Sequence, residues 1–349
     1  MKVNPVKSSH WALKPVFAKK YKHSFPRQAV GHSVSNGVNH STLNNFLRQY
    51  NVGSLLSFKK FKKGLANQVY HLKTTKRNYT FKIIIRHAPA KIKYEIDLLN
   101  HLKNLPTAKP IKNINGKYLT KFNNQTVLLY SYLKGEEKVK FSDKMISQTA
   151  IFLAKLHLQT ENFQTKVKRL EFYNISKNKL ELILKVSQKL KTPSIKSALN
   201  YIEQNFLKYK LPGNLPKGAM HIDLKPENTL FVKNKLTGVV DFDNSYNGPL
   251  VLDLANTMMW YCSKEGNFNL KRAKIIYDSY NKIRKLTTIE KKYLFKALHF
   301  AFLSHVLVDI YFLALKKLPQ SYINWGLKNL LLTEKNLKIS KQKFSKIFN

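Results

Sequence analysis

The stretch His221-Ile222-Asp223-Leu224-Lys225-Pro226-Glu227-Asn228 decides how this chain is read, together with Val239-Val240-Asp241-Phe242-Asp243, whose Asp241 falls thirteen residues after Asn228. The octapeptide sets a carboxylate, a lysine and an amide close together on a segment that Pro226 stiffens. The pentapeptide ends an apolar run, Leu236 to Val240, on a second carboxylate. Phosphoryl transfer asks a protein mainly for positioning and charge stabilisation, and these two loops hold groups of that kind. Asp223 is placed to orient or deprotonate an acceptor hydroxyl. Asn228 and Asp241 offer oxygen ligands for Mg²⁺, which prefers one or two protein oxygens plus the phosphates of ATP. Lys225 can neutralise the γ-phosphate, and Glu227 is expected to face solvent. Asp and Asn are common in ordinary turns. The strand ending in Asp241 at this distance is what separates the pair from a turn.

Upstream residues supply a second constellation. Gly64, between two strand-like runs, allows the backbone to approach phosphates; it is a partial match to a glycine-rich loop. Asn67 supports that turn or touches phosphate. Lys82 sits in an apolar strand, where a lysine needs a partner. Glu95, the first acidic residue of the chain, lies in the next helix and is the natural one, with Asp97 as competitor. Such a Lys–Glu pair holds ATP phosphates. Backbone groups of Ser131 and Leu133, in Tyr130-Ser131-Tyr132-Leu133-Lys134-Gly135, are candidates for bonding adenine at a hinge. His157 and Asp253 read as structural supports of the octapeptide.

Patterning divides the chain in three. Residues 1–40 are basic, with little periodicity, and read as a loosely ordered extension. Residues 41–134 carry a short helix capped by Ser41 or Thr42, strand-like runs, and one helix over about Ala90 to Leu102. Residues 135–349 are mainly helical, with a loop region at 211–248. This is an α+β pattern, a small antiparallel sheet followed by a larger helical part. The net charge is +43, and Lys supplies all but seven of the 62 basic residues. Sequence-specific nucleic-acid readers lean on the Arg fork, so the excess reads as compositional and no specific nucleic-acid partner is expected. Ala297 to Leu315 is nearly long enough to span a bilayer. It contains His299, Ser304, His305 and Asp309, which are costly in lipid, so a buried helix is expected rather than membrane insertion. One cysteine, Cys262, fits a reducing cytoplasm. The oligomeric state is left open.

These motifs resemble the aminoglycoside phosphotransferase and choline kinase superfamily, over about residues 41–349. Within it, FLRQYNVGSLLSFKKFKKGLANQVYHLKTT, LPKGAMHIDLKPENTLFVKNKLTGVVDF and DLANTMMWYC look most like bacterial homoserine kinase of that fold. The resemblance implies a bilobal protein-kinase-like fold, with residues 41–134 binding nucleotide and 135–349 carrying catalysis and acceptor. It implies Asp223 as base, Asn228 and Asp241 as magnesium ligands, Lys82 and Glu95 at the ATP phosphates, and L-homoserine as the small-molecule acceptor. Two departures stand out. DFDNSYNGP follows the generic superfamily pattern, and His299 and His305 occupy a helix where Arg is expected. An aminoglycoside, choline, ethanolamine, another amino alcohol or a sugar therefore stays open as acceptor. A protein kinase is disfavoured because Asp241-Phe242-Asp243 replaces DFG and no activation segment follows. A catalytically dead fold or a basic nucleic-acid binder is the remote alternative.

Overall fold

Alternation writes the first sheet. In the run Asn78–Ile84, Tyr79, Phe81 and Ile83 point one way and Thr80, Lys82 and Ile84 the other, the period of a strand. The computed structural model describes residues 38–61, 67–85, 89–167, 173, 175–339 and 341–348. Helix α1 (His40–Leu47) leads into β1 (Leu55–Lys60), β2 (Asn67–Thr74) and β3 (Asn78–Ile84). Helix α2 (Pro89–His101) follows, then β4 (Thr120–Phe122) and β5 (Gln125–Ser131). The five strands form one antiparallel sheet in the order β1-β2-β3-β5-β4. One face packs Phe81, Ile83, Val127 and Leu129 against Leu43, Phe46 and Leu47 of α1. The other places Ile84, Leu128 and Tyr130 with Ile92, Ile96 and Leu99 of α2. Lys82, in phase with Ile84, is thus carried toward α2.

The α1 cap differs from expectation. Asn39 is the N-cap, accepting from the Thr42 amide at 2.9 Å, and the Thr42 hydroxyl accepts from the Asn39 amide. This is a capping box in which Thr42 is the third helical residue; the reciprocal bonds are invisible to residue type alone. Residues 1–37 and Gly64 lie outside the described residues.

Beyond Ser131 the chain is mainly helical. α3 (Asp143–Thr160), α4 (Lys177–Ser187) and α5 (Pro193–Phe206) precede β6 (Lys217–Met220), β7 (Thr229–Val232), β8 (Lys235–Val239) and β9 (Tyr246–Pro249). The loop region expected at 211–248 therefore contains short strands. β6 pairs antiparallel with β9, and β7 with β8. Then come α6 (Leu250–Cys262), the two-residue strands β10 (Ser263–Lys264) and β11 (Asn267–Phe268), α7 (Leu270–Asn281) and α8 (Thr288–Ala314). α9 (Gln320–Gly326), α10 (Leu332–Ile339) and α11 (Lys341–Phe348) complete the order.

α8 starts with a Thr287/Glu290 capping box, exposes Lys291, Lys292 and Lys296 in its first turns, and is buried on every side from Ala297 to Ile310. Among the described residues it is the one helix long and apolar enough to cross a membrane, yet 89% of its most apolar window is buried inside the protein. Gly135 takes φ +145° where the chain leaves the first sheet. A Cβ there would stand 2.6 Å from Thr237 Oγ1, so only glycine passes without displacement.

Candidate active site

Four short segments bring the site residues together. β6 ends at Met220, and the chain turns through His221 and Ile222 to reach Asp223. Ile222 adopts φ +58°, a left-handed conformation strongly disfavoured for a β-branched residue and costing about 1–3 kcal/mol. Asp253, in the first turn of α6, holds it there. Its Oδ2 accepts from the His221 amide at 2.7 Å and its Oδ1 from the Ile222 amide at 2.8 Å. His157 Nε2 lies 3.0 Å from Asp253 Oδ2, and Tyr280 Oη lies 2.7 Å from His157 Nδ1. Arg284 donates to the Tyr280 hydroxyl at 3.1 Å and pairs with Glu290 and Glu161. A buried chain of donors and acceptors thus runs from α7 and its C-terminal flank to the octapeptide. The bracing role expected of His157 and Asp253 is what the geometry contains.

Asp223 and Lys225 are buried, and Lys225 Nζ donates to Asp223 Oδ2 at 2.5 Å. Asn228 donates through Nδ2 to the Asp223 carbonyl at 2.8 Å, which leaves its Oδ1 as the amide atom able to meet a cation. The Val240 amide donates to the Asn228 carbonyl at 3.0 Å. Asn228 and Asp241 are therefore held on adjoining backbones. Asp241 adopts φ +71°, a conformation Asp tolerates better than most residues. His221 adds another tie: Nε2 donates to the Val240 carbonyl at 3.2 Å, and Nδ1 accepts from the Asp223 amide at 3.3 Å. Burial pushes the His221 pKa below 6.5, against the opposing pull of Asp253, and this bonding pattern needs the neutral ring.

The sheet side supplies Lys82. Its Nζ lies 3.3 Å from Glu95 Oε1 and 2.6 Å from Asp243 Oδ1. Glu95 is the partner, and Asp97 instead accepts from the Thr165 hydroxyl at 2.7 Å. Two further residues enter that had no assigned role. Asp243 fixes Lys82 from the segment after Asp241. Tyr130 donates its hydroxyl to Glu95 Oε1 at 3.0 Å. Burial first, then the Glu95 charge, pushes the Tyr130 phenol far up, so it stays a donor. The one trace of Tyr130 in the sequence is its phase: it shares with Leu128 the face of β5 turned to α2.

Asn67 begins β2 and accepts from the Ile85 amide at 3.4 Å, bracing the sheet. The Ser131 amide is already committed to the Lys109 carbonyl at 2.8 Å, so any base contact at Ser131 falls to other atoms. Leu133 packs against Gly238 of β8. Glu227 departs from expectation: it is half-buried, and its Oε2 is shielded from solvent. The short turn Pro226–Asn228 folds it inward.

Among the described residues no group of three or more His, Cys, Asp or Glu side chains is arranged to hold a metal ion. The donors present at the loop junction are one amide and one carboxylate oxygen, a hard-oxygen pair that suits Mg²⁺ when phosphates complete its shell.

A phosphotransferase of protein-kinase-like architecture is the class that this sheet, helical body and loop junction define, and the chain belongs to the phosphotransferase enzyme family, whose profile matches residues 57–285. It is an enzyme that transfers a phosphoryl group to a hydroxyl. It is 26% identical over 265 residues to a homoserine kinase of Agrobacterium fabrum, covering 74% of this chain and 81% of the relative. Among solved structures, a microcompartment-associated aminopropanol kinase superposes with a TM-score of 0.65 at 14% identity, covering 88% of this chain and 99% of that one. The amicoumacin kinase hAmiN, in complex with AMP-PNP, Ca²⁺ and Ami, superposes with a TM-score of 0.63 at 16% identity, covering 88% and 94%.

Proposed function

We propose that this enzyme transfers the γ-phosphate of ATP to the hydroxyl of L-homoserine, giving O-phospho-L-homoserine in the cytoplasm. One observation carries the reaction: Asp223, Lys225, Asn228 and Asp241 meet across the bond between the Asn228 carbonyl and the Val240 amide. Lys82 is joined to the same strand end through Asp243.

In this reading Asp223 accepts the proton of the acceptor hydroxyl. Lys225, already on Asp223 Oδ2, meets the charge of the transferring phosphoryl group. Asn228 Oδ1 and the Asp241 carboxylate hold Mg²⁺, which when bound neutralises phosphate charge. Lys82, aimed by Glu95, holds the α/β-phosphates. Gly64 and Asn67 shape the turn over them, and backbone groups at Ser131 and Leu133 border the adenine.

Homoserine is supported by the 26% identity to a homoserine kinase over most of both chains. A second reading, an amino alcohol without a carboxylate, is favoured by the state of Arg272 and Arg284, the two arginines of the helical part among the described residues. Arg284 is tied to Glu290 and Glu161, and Arg272 donates to the Tyr261 carbonyl. Neither stands ready as the usual clamp for an amino-acid carboxylate. A coupled ADP-release assay over L-homoserine, 3-amino-1-propanol, ethanolamine, choline and aminoglycosides decides. The highest kcat/KM is expected for L-homoserine. Turnover of the others alone would replace it, and no turnover with any would remove the proposed reaction.

A further inference from the structure

Lys82 meets two carboxylates from opposite parts of the molecule. Glu95 Oε1, on α2, lies 3.3 Å from its Nζ, and Asp243 Oδ1, on the turn Phe242–Asn244, lies 2.6 Å away. The nearer anion is thus the one brought over from the helical part. All three side chains are largely buried. The Tyr130 ring borders the same ammonium, its centre 5.9 Å from Nζ. Two negative charges therefore face one positive charge where solvent screens poorly.

An ammonium has three N–H donors. Among the described residues two of them go to Glu95 and Asp243, which leaves one for a phosphate oxygen. A polyphosphate arriving at Lys82 also meets both carboxylates, and like charges at that range repel. One of the two has to give way, and Glu95 is the fixed one. Tyr130 donates to its Oε1 at 3.0 Å, and Thr165 of the helical part donates to Asp97 on the same helix at 2.7 Å. Just past α2, the Gln159 side chain bonds the Lys103 amide at 2.7 Å and the Lys103 carbonyl at 2.8 Å. Asp243 rides instead on a three-residue turn between β8 and β9. The net charge of +43 draws anions of every kind toward the molecule. A covered lysine admits only those that outcompete its own counter-ion.

We propose that Asp243 stands in for the nucleotide: it occupies Lys82 while no nucleotide is bound, and the ATP phosphates displace it. This deepens the proposed phosphoryl transfer and rests on it for placing those phosphates at Lys82. Asp243 is then a built-in competitor of ATP. Its signature is one of sign, because removing its charge strengthens nucleotide binding, whereas removing a phosphate contact weakens it.

The test is calorimetric binding of AMP-PNP without divalent metal to the wild type, Asp243→Asn, Lys82→Met and the double variant. Asp243→Asn should lower Kd at least about tenfold, the low end for a hydrogen bond to a charged group. In the Lys82→Met background the same change should alter Kd by less than about twofold, which ties the gain to Lys82. Unchanged or weaker metal-free binding by Asp243→Asn, or an equal gain in both backgrounds, overturns the proposal. If that variant weakens binding only when Mg²⁺ is added, Asp243 is a metal ligand and the proposal is likewise overturned. Where a variant misfolds by circular dichroism or binds too weakly to measure, wild-type crystals decide. Soaked AMP-PNP is expected to part Lys82 Nζ and Asp243 Oδ1 beyond about 4 Å, the reach of an ion pair. An intact pair beside bound phosphates overturns the displacement. Failure of the nucleotide reading looks different: the wild type binds no AMP-PNP even with Mg²⁺, and no acceptor releases ADP.

Discussion

Asp223 is gripped at three points: Lys225 and Asn228 on its carboxylate, and Asn228 again on its carbonyl. Removing the side chain empties the proposed base position and leaves Asn228 and Asp241, the proposed metal pair, in place. Asp223→Ala is therefore expected to lower kcat by about 10²–10⁴-fold, the usual worth of a general base, with ATP affinity retained. Substantial turnover in a pre-steady-state assay would contradict the assignment. Tyr130 acts through another group. Without its hydroxyl, Glu95 loses one of the bonds that aim it at Lys82. Tyr130→Phe should raise the KM for ATP by about tenfold, consistent with one hydrogen bond to a charged group, and leave acceptor KM unchanged. The meeting of Asp223, Asn228 and Asp241 at one loop junction was legible because their spacing is local. Asp243 was not, because its partner Lys82 lies 161 residues away in sequence. Tyr130 was not, because a tyrosine on a buried strand face reads equally well as packing.

Helix α6 and the octapeptide work as one element. Asp253 accepts from two loop amides and lies within reach of His157, and that grip keeps Ile222 in its strained conformation. An amide at this position retains one accepting oxygen and turns an NH₂ toward a donor. Asp253→Asn should cost about 2–4 kcal/mol of stability in urea denaturation and lower kcat, with little change in either KM. A normal kcat would mean that the loop holds its shape unaided. The strands and helices themselves were readable from periodicity, since α2, α3 and β3 follow the 3.6- and 2-residue repeats. Of the short strands, β8 was read as the apolar strand Leu236 to Val240, whereas β6, β7 and β9 were not announced as clearly. Each has four or five residues, too few for a repeat to emerge, and their pairing is set by the loops they flank.

At the scale of the whole molecule, charge is the dominant property. A net +43 surrounds a site proposed to take a nucleotide polyanion, and such a field speeds capture more than it changes chemistry. The kcat/KM for ATP is expected to fall about tenfold between ~20 and ~300 mM NaCl, as the screening length shrinks, while kcat holds. A flat profile would make the charge a matter of composition alone. The two-part α+β organisation was visible as a change of period after Gly135. The way α8 threads the helical body was visible only as a run of apolar residues with costly polar ones inside it. Asp309, His305 and His299 find their places in three dimensions, against rings and carboxylates from distant segments.

The chain's single thiol has a practical consequence. Cys262 closes α6, nine residues from Asp253, is 3% exposed, and burial pushes its pKa far up. In the native state it should be silent to a thiol reagent, because a buried neutral thiol is a poor nucleophile. Each labelling event then times one opening of the helix that steadies the octapeptide. A one-site chemical clock is thus built into the molecule, and nucleotide or acceptor should slow it in proportion to how firmly each closes the helical body.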